Sequence, residues 1–232
     1  MNYKELSAKA QQVAFENWQP FTDYDWWDTI YEDWTNLLEE RGITNAKIQF
    51  SGFHSQGDGA SFTGMIDLRT LMEWQHKVIQ ASNKEAGETR STCTTSSLID
   101  YYPAIYISQL GFNKDEYAEF NFELKRSNIP YSHSNTIYLD HVFECSDGDL
   151  EDELLACGSG SSDVELGGIE QDLEELCQDM MKDIYKDLEN QYDYLCSKEA
   201  FIEDCDNHDF IFDADGEIHD DYDDAILLKV AA

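Results

Sequence analysis

Basic residues are scarce in this chain. Its 232 residues include only 15 Lys and Arg against 49 Asp and Glu, which gives a formal net charge of −34. Proteins that bind DNA or RNA neutralise phosphate groups with clustered Lys and Arg, and anionic membrane surfaces attract cationic segments. The composition therefore excludes direct nucleic-acid binding through phosphate contacts and attachment to an anionic membrane surface.

Long apolar runs and the common cofactor motifs are also absent. No stretch approaches the roughly 18 consecutive apolar residues of a membrane-spanning helix, and the N-terminal residues lack the apolar core of a signal peptide. The six cysteines include no C-x-x-C pair, and G-x-x-x-x-G-K-S/T, G-x-G-x-x-G and H-E-x-x-H do not occur. We therefore expect a cytoplasmic protein with reduced thiols, no cofactor and no metal.

The residues that are abundant indicate a folded protein. Hydrophobic residues make up 41% and aromatic residues 13% of the chain, and disordered chains are poor in aromatics. Alternating apolar and polar residues predict two β-hairpins, at residues 46–64 and 120–143, and apolar residues three and four apart predict helices around them. One of these helices is predicted from Leu98 to Leu110, after a polar loop at residues 82–96. Asp67 can cap a helix before that loop, and Ser197 can cap a short helix that runs to Ile202. The predicted fold class is α+β: an antiparallel sheet from two hairpins packed with helices, followed by an acidic helical region and a small hairpin that turns at residues 213–216.

Composition divides the chain into three segments. Residues 1–144 are predicted to form an α+β core domain, residues 145–168 an acidic linker rich in Gly and Ser, and residues 169–232 a long helix, a short helix and a hairpin that can pack on the core. Residues 144–232 hold 29 of the acidic residues and only four basic ones. Such an asymmetry is typical of an interaction surface.

The long helix, predicted from about Ile169 to Cys196, has an apolar stripe on one side. The residues of this stripe are Ile169, Leu173, Leu176, Met180, Ile184, Leu188, Tyr192 and Leu195. Opposite the stripe we expect a row of carboxylates, formed by Asp172, Glu175, Asp179, Asp183 and Asp187. Like charges at this spacing repel by about a few tenths of a kcal/mol per pair, so stability alone disfavours such a row. The row has two interpretations: a solvated face that keeps the protein soluble, or a partner-binding face that imitates a phosphate backbone. The acidic residues that we expect to contribute secondarily to such a face are Glu151, Asp152 and Glu153.

The loop HSQGDGASF, between the first two predicted strands, is the second candidate site. One interpretation is a hairpin turn in which Asp58 accepts hydrogen bonds from its own backbone. The alternative is an enzyme in which Ser55 and Asp58 act together with His133 of the second hairpin. If the two hairpins share one sheet, His133 and His141 could also join Asp58 in a metal or acid–base site.

Three stretches of the sequence resemble a family of largely uncharacterised bacteriophage and mobile-element proteins. They are IQFSGFHSQGDGASFTG, which contains the FSGFxSQGDGASF motif, then YSHSNTI, and the segment from KDIYKDLENQ to DADGEI. The resemblance implies a phage context and transfers no catalytic mechanism. Some members are labelled antitoxin-like, which implies binding to a basic protein partner.

Acidity and phage context together predict an inhibitor without catalytic residues. We expect it to mimic nucleic acid and to occupy the basic DNA-binding cleft of a host protein in the host cytoplasm. Such a host protein would be a nuclease, a restriction or recombination enzyme, or a transcription factor, so the role would be anti-defence or host takeover. The alternatives are an antitoxin-like neutraliser of a basic protein and an enzyme centred on the SQGDG loop. The sequence also leaves open whether the protein forms a homodimer through its Trp-rich first helices.

Overall fold

The structure, a computed structural model, describes residues 1–18, 25–86, 96–108, 118–145 and 166–218. The strands in these residues are β1 (Ile43–Phe50), β2 (Ala60–Ile66), β3 (Ala118–Arg126) and β4 (Ile137–Cys145). The α-helices are α1 (Ala8–Asn17), α2 (Asp28–Glu40), α3 (Leu68–Ala86), α4 (Leu98–Tyr101), α5 (Pro103–Ser108), α6 (Leu166–Leu195) and α7 (Lys198–His208). These elements confirm the predicted α+β class.

The four strands form one antiparallel sheet in the order β1-β2-β3-β4. The two predicted hairpins are therefore joined, because β2 pairs with β3 from Gly64 opposite Leu124 to Ile66 opposite Phe122. In an antiparallel pair one strand begins beside the end of the other. The β1–β2 loop (residues 51–59) and the β3–β4 loop (residues 127–136) consequently lie at the same end of the sheet.

The described residues pack into two compact units. The larger unit, Thr29–Lys186, contains the sheet, α3 to α5 and most of α6. Its fully buried side chains come from strands and helices alike and include Ile43, Phe62, Leu71, Met72, Phe122, Leu124, Leu173 and Met181. Asp67 caps α3, as its sequence position permits, because Asp67 Oδ1 accepts the N–H of Thr70 at 3.1 Å.

The smaller unit consists of the residues up to Asp28 together with those from Asp187 onward. Its core is an aromatic-rich cluster of buried residues: Tyr3, Leu6, Ala10, Ala14, Phe201, Cys205 and Phe212. A bridge between Phe212 and Ile218 encloses the turn that was predicted at residues 213–216, and Gly216 N–H donates to Asp213 O at 3.1 Å. The predicted closing hairpin is thus confirmed.

Several boundaries differ from the sequence-based expectation. Residues 82–86, predicted as part of a loop, continue α3, and α6 begins at Leu166, three residues earlier than predicted. The helix predicted from Leu98 breaks at Tyr102, because the following Pro103 restricts the backbone of the residue before it. The predicted linker at residues 145–168 lies almost wholly outside the described residues. No helix in the described ranges is long and apolar enough to cross a membrane.

Candidate functional site

The carboxylates predicted on the long helix are presented by α6, whose opposite face is buried. The buried side chains of α6 recur three and four residues apart: Ile169, Leu173, Cys177, Met180, Met181, Ile184 and Leu188. The sequence-based stripe missed Cys177 and Met181 and included Leu176, which is only partly buried. Because the apolar face fixes the rotation of α6 about its axis, the positions of the acidic side chains on the other face are also determined.

Two further carboxylates of α6 lie against strand β4. Glu174 Oε1 accepts the backbone N–H of Leu139 at 3.1 Å, so it satisfies a donor on an edge strand. Glu170 Oε1 lies 2.5 Å from His141 Nδ1. His141 is therefore engaged with α6. The hypothesis of a metal site also lacks support, since the described residues contain no cluster of three or more potential ligands.

We call Asp172, Glu175, Asp179 and Asp183 the acidic face of α6. Asp172 differs from the other three because it is partly buried and accepts the hydroxyl of buried Tyr102 at 2.8 Å. Burial and the neighbouring Asp172 carboxylate both raise the pKa of Tyr102, so its hydroxyl remains a donor. Asp172 thus has a structural function in addition to its charge.

The other three members of the acidic face are exposed. Glu175 accepts a hydrogen bond from the Gln171 side chain at 2.9 Å. Asp179 pairs with Lys182 at 2.7 Å, with both side chains more than 60% exposed. Such an exposed pair neutralises little of the field that a partner would meet.

Asp183 interacts electrostatically with Arg41, a residue that the sequence analysis did not identify as part of a site. The Arg41 guanidinium carbon lies 5.2 Å from the ring centroid of Trp34 and 4.7 Å from that of Trp74. Burial lowers the pKa of Arg41, and the charge of Asp183 opposes this shift. Arg41 remains protonated, held between two indole rings in a cation–π arrangement.

A groove runs beside the acidic face. It has a volume of about 230 Å³, and its lining includes Tyr101, Gln75 and Ser96 as well as Asp172, Glu175 and Asp179. Tyr101 is 52% exposed. An exposed aromatic ring next to carboxylates offers stacking and charge to a basic side chain. The groove and the acidic face together form the candidate binding surface.

The remaining predicted acidic residues fall elsewhere. Asp187 is exposed and belongs to the smaller unit. Glu151, Asp152 and Glu153 lie outside the described residues, so their contribution stays a prediction.

In the SQGDG loop, the Asp58 side chain accepts hydrogen bonds from the backbone of the loop itself. Asp58 Oδ2 accepts the N–H groups of His54 at 2.9 Å and Ser55 at 2.6 Å, and Asp58 N–H donates to Ser55 O at 3.1 Å. The prediction of a turn stabilised by Asp58 is confirmed. Gly52 and Gly57, with φ of +87° and +97°, provide the left-handed backbone that this turn requires.

The two hairpin loops meet, as a shared sheet allows. Ser132 N–H donates to Ser51 Oγ at 3.2 Å, and a Cβ on Gly59 would lie 3.1 Å from His133 Cα. Asp58 and His133 line a small cavity of about 120 Å³ together with residues of α6. Two of the three hypothesised catalytic residues, Asp58 and His133, thus line one cavity.

The hydrogen bonds of this cavity are nevertheless those of loop structure. His133 Nδ1 accepts the N–H of Asn135 at 3.1 Å and thereby caps the short 3-10 helix at Ser134–Thr136. Among the described residues, no hydrogen bond joins Ser55 to His133. A nucleophile needs a base within hydrogen-bond reach, and this arrangement does not supply one.

A Ser, a His and an Asp also meet at the start of α4, where sequence reasoning did not place a site. His76 Nδ1 lies 2.7 Å from Ser97 Oγ, and Ser97 Oγ donates to Asp100 Oδ2 at 2.8 Å. Hydrogen bonds from Ser97 lower the pKa of Asp100. Because Ser97 is fully buried and its hydroxyl donates to the carboxylate, this group is a helix cap and lacks the geometry of a triad.

Fold and site together define an α+β protein that presents an exposed acidic face and a groove beside it. The chain belongs to the family described as Domain of unknown function (DUF8835), whose model matches residues 26–198. This match includes the sheet and the whole of α6. No curated protein and no solved structure matches the chain.

Proposed function

We propose that this protein binds a basic partner through the acidic face of α6 and acts as a nucleic-acid mimic that occupies a DNA-binding cleft. The observation that supports the proposal is the row of three exposed carboxylates, Glu175, Asp179 and Asp183, on a helix whose opposite face is buried. Charges held by a rigid element need little ordering when a partner binds, so less conformational entropy is lost.

The spacing of the charges is of the same order as the spacing of phosphates in DNA. A helix rises about 1.5 Å per residue, so Asp172 to Asp183 span about 17 Å and successive carboxylates are about 5 to 6 Å apart along the axis. One DNA strand carries a charge about every 3.4 Å along its axis. The row is therefore sparser than a phosphate backbone but comparable in scale, and the net charge of −34 adds a long-range field that steers a cationic partner.

The groove adds a place for specific contacts. Carboxylates and the exposed ring of Tyr101 line the same cavity, so a basic side chain of the partner can be paired and stacked at once. The phage-family resemblance favours a target in the host cytoplasm, and inhibition of a host DNA-binding protein is the role we propose.

The test removes charge from the face without changing side-chain size. The triple variant Glu175→Gln, Asp179→Asn and Asp183→Asn is compared with a control that neutralises three exposed acids of α2: Glu32, Asp33 and Glu39. Each protein is immobilised and exposed to nuclease-treated bacterial lysate at 50 and 500 mM salt, with and without added duplex DNA.

We expect the wild type and the control to capture the same DNA-binding protein and the triple variant to lose it. High salt and duplex DNA should each release the captured protein. Salt-sensitive capture that ignores DNA would instead identify an antitoxin-like neutraliser. Equal capture by the triple variant and the wild type would refute the proposed surface.

A further inference from the structure

The smaller unit contains a cavity that none of the preceding functions uses. It has a volume of about 200 Å³. Its walls are the end of α6, one side of α7 and Trp18, which follows α1. The polar and aromatic residues that line it are Trp18, Tyr194, Glu203, Asp204 and Asn207. Two aromatic rings and two carboxylates thus share one cavity.

The indole of Trp18 is held in place on two sides. Its Nε1–H donates to Asp204 Oδ2 at 2.8 Å. Its ring stacks on Phe15 at 6.4 Å between centroids and contacts Phe201 at 5.3 Å. The orientation of this cavity wall is therefore set before any ligand arrives.

The second aromatic wall is held in the same way. Tyr194 Oη donates to Glu203 Oε2 at 2.7 Å, and this hydrogen bond raises the pKa of Tyr194. Tyr194 is 39% exposed. Within the described ranges, Glu203 Oε1 accepts no hydrogen bond, so one carboxylate oxygen at the cavity is available to a ligand donor. Both oxygens of Asp204 are engaged, with Trp18 and with His208 at 2.8 Å.

We propose that this cavity binds the guanidinium group of an arginine side chain from a partner protein. A guanidinium is planar, stacks on aromatic faces and donates in a fork that matches carboxylates. A Lys ammonium is more strongly hydrated and does not stack in this manner, and a quaternary ammonium has no hydrogen to donate to Glu203. The site is separate from the acidic face of α6 and does not depend on the function proposed for it.

The test titrates the full chain with the peptide acetyl-Gly-Arg-Gly-amide. The peptides with lysine or with neutral citrulline in place of arginine serve as comparisons. Binding is followed by the indole N–H resonance of Trp18, identified by its absence from the spectrum of Trp18→Phe. The variant Glu203→Gln keeps an acceptor for Tyr194 and removes the charge, and Glu199→Gln removes an exposed charge one turn earlier on α7.

We expect Glu203→Gln to weaken arginine-peptide binding about tenfold, because hydrogen bonds to charged groups contribute about 1.5 kcal/mol or more. The citrulline peptide should bind at least tenfold more weakly than the arginine peptide, and Glu199→Gln should change the affinity less than twofold. Tyr194→Leu, which removes one aromatic wall and leaves the carboxylate, should weaken binding several-fold.

Two results would overturn the assignment. One is equal weakening by Glu203→Gln and Glu199→Gln, which would indicate general attraction to an acidic surface. The other is equal binding of the arginine and citrulline peptides. The triple variant of the α6 face should titrate like the wild type, so a failure of the function proposed for α6 would not be confused with a failure of this pocket.

Discussion

Neutralising the acidic face of α6 should leave the protein as stable as before, or slightly more stable, at low salt. In the wild type, repulsion acts between Asp172 and Glu175, between Glu175 and Asp179, and between Asp179 and Asp183, which are three or four residues apart. Each such pair costs about 0.2–0.5 kcal/mol. The triple variant Glu175→Gln, Asp179→Asn and Asp183→Asn removes all three. It also removes the repulsion between Asp183 and the exposed Asp187 four residues further on, so in total it relieves about 1–2 kcal/mol.

Two losses oppose this gain. The exposed pair of Asp179 with Lys182 contributes about 0.3–0.5 kcal/mol. Asp183 also contributes a favourable charge near Arg41. The net expectation is a gain of up to about 1 kcal/mol in the free energy of unfolding, or about 2–4 °C in the midpoint of thermal unfolding for a chain of this size.

Thermal unfolding at about 20 mM and at 1 M salt measures this effect. At 1 M salt the Debye length is about 3 Å, so the difference between variant and wild type should vanish. Asp172→Ala provides the contrast: it leaves the buried Tyr102 hydroxyl without its acceptor, and it should cost about 1–3 kcal/mol at both salt concentrations. A salt-independent loss of more than about 1 kcal/mol in the triple variant would show that these carboxylates are structural, contrary to our interpretation.

Two other perturbations address the smaller unit and the buried thiols. Gly216→Ala should destabilise the protein by about 2–5 kcal/mol, as measured by urea unfolding. The reason is that Gly216 has φ of +100° and that a new Cβ would lie 2.2 Å from Ala10 O. An unfolding midpoint within error of the wild type would contradict the packing of this turn. Burial raises the pKa of Cys177 and of Cys205 to about 12 from an ordinary value of 9.0. The unfolded chain therefore loses these protons first, and unfolding free energy should fall as the pH rises from about 9 to about 12, with a smaller fall in Cys177→Ala.

Much of the fold could be predicted from the sequence because its signals are local. Alternation of apolar and polar residues identified all four strands, and three-and-four spacing identified α6 to within three residues at its start. Side chains that form hydrogen bonds with the nearby backbone could be predicted equally well. Asp67 and Ser197 cap α3 and α7, and Asp58 closes the SQGDG turn. These interactions join residues within four positions of each other, so a linear pattern contains the necessary information.

The exposure of most of the acidic face follows from the same periodicity, but the individual roles of its members do not. In the sequence, Asp172 and Asp183 occupy equivalent positions on the polar side of the helical pattern. The structure places Asp172 against Tyr102, seventy residues earlier, and Asp183 near Arg41, which two tryptophans from different helices enclose. Neither environment has a counterpart in the spacing of residues along α6.

The pocket of the smaller unit could likewise not be predicted from the sequence pattern. Trp18 and Asp204 are 186 positions apart, yet their hydrogen bond orients one wall of the cavity. Periodicity records which face of a helix is apolar, and it predicted the presence of the helices that form this pocket. The short helix was expected to end at Ile202, however, and α7 continues to His208, so its polar pocket-lining residues lie beyond the predicted end. Which helices pack against one another depends on burial of apolar surface summed over the whole chain, so the meeting of two rings and two carboxylates arises only when the chain is folded.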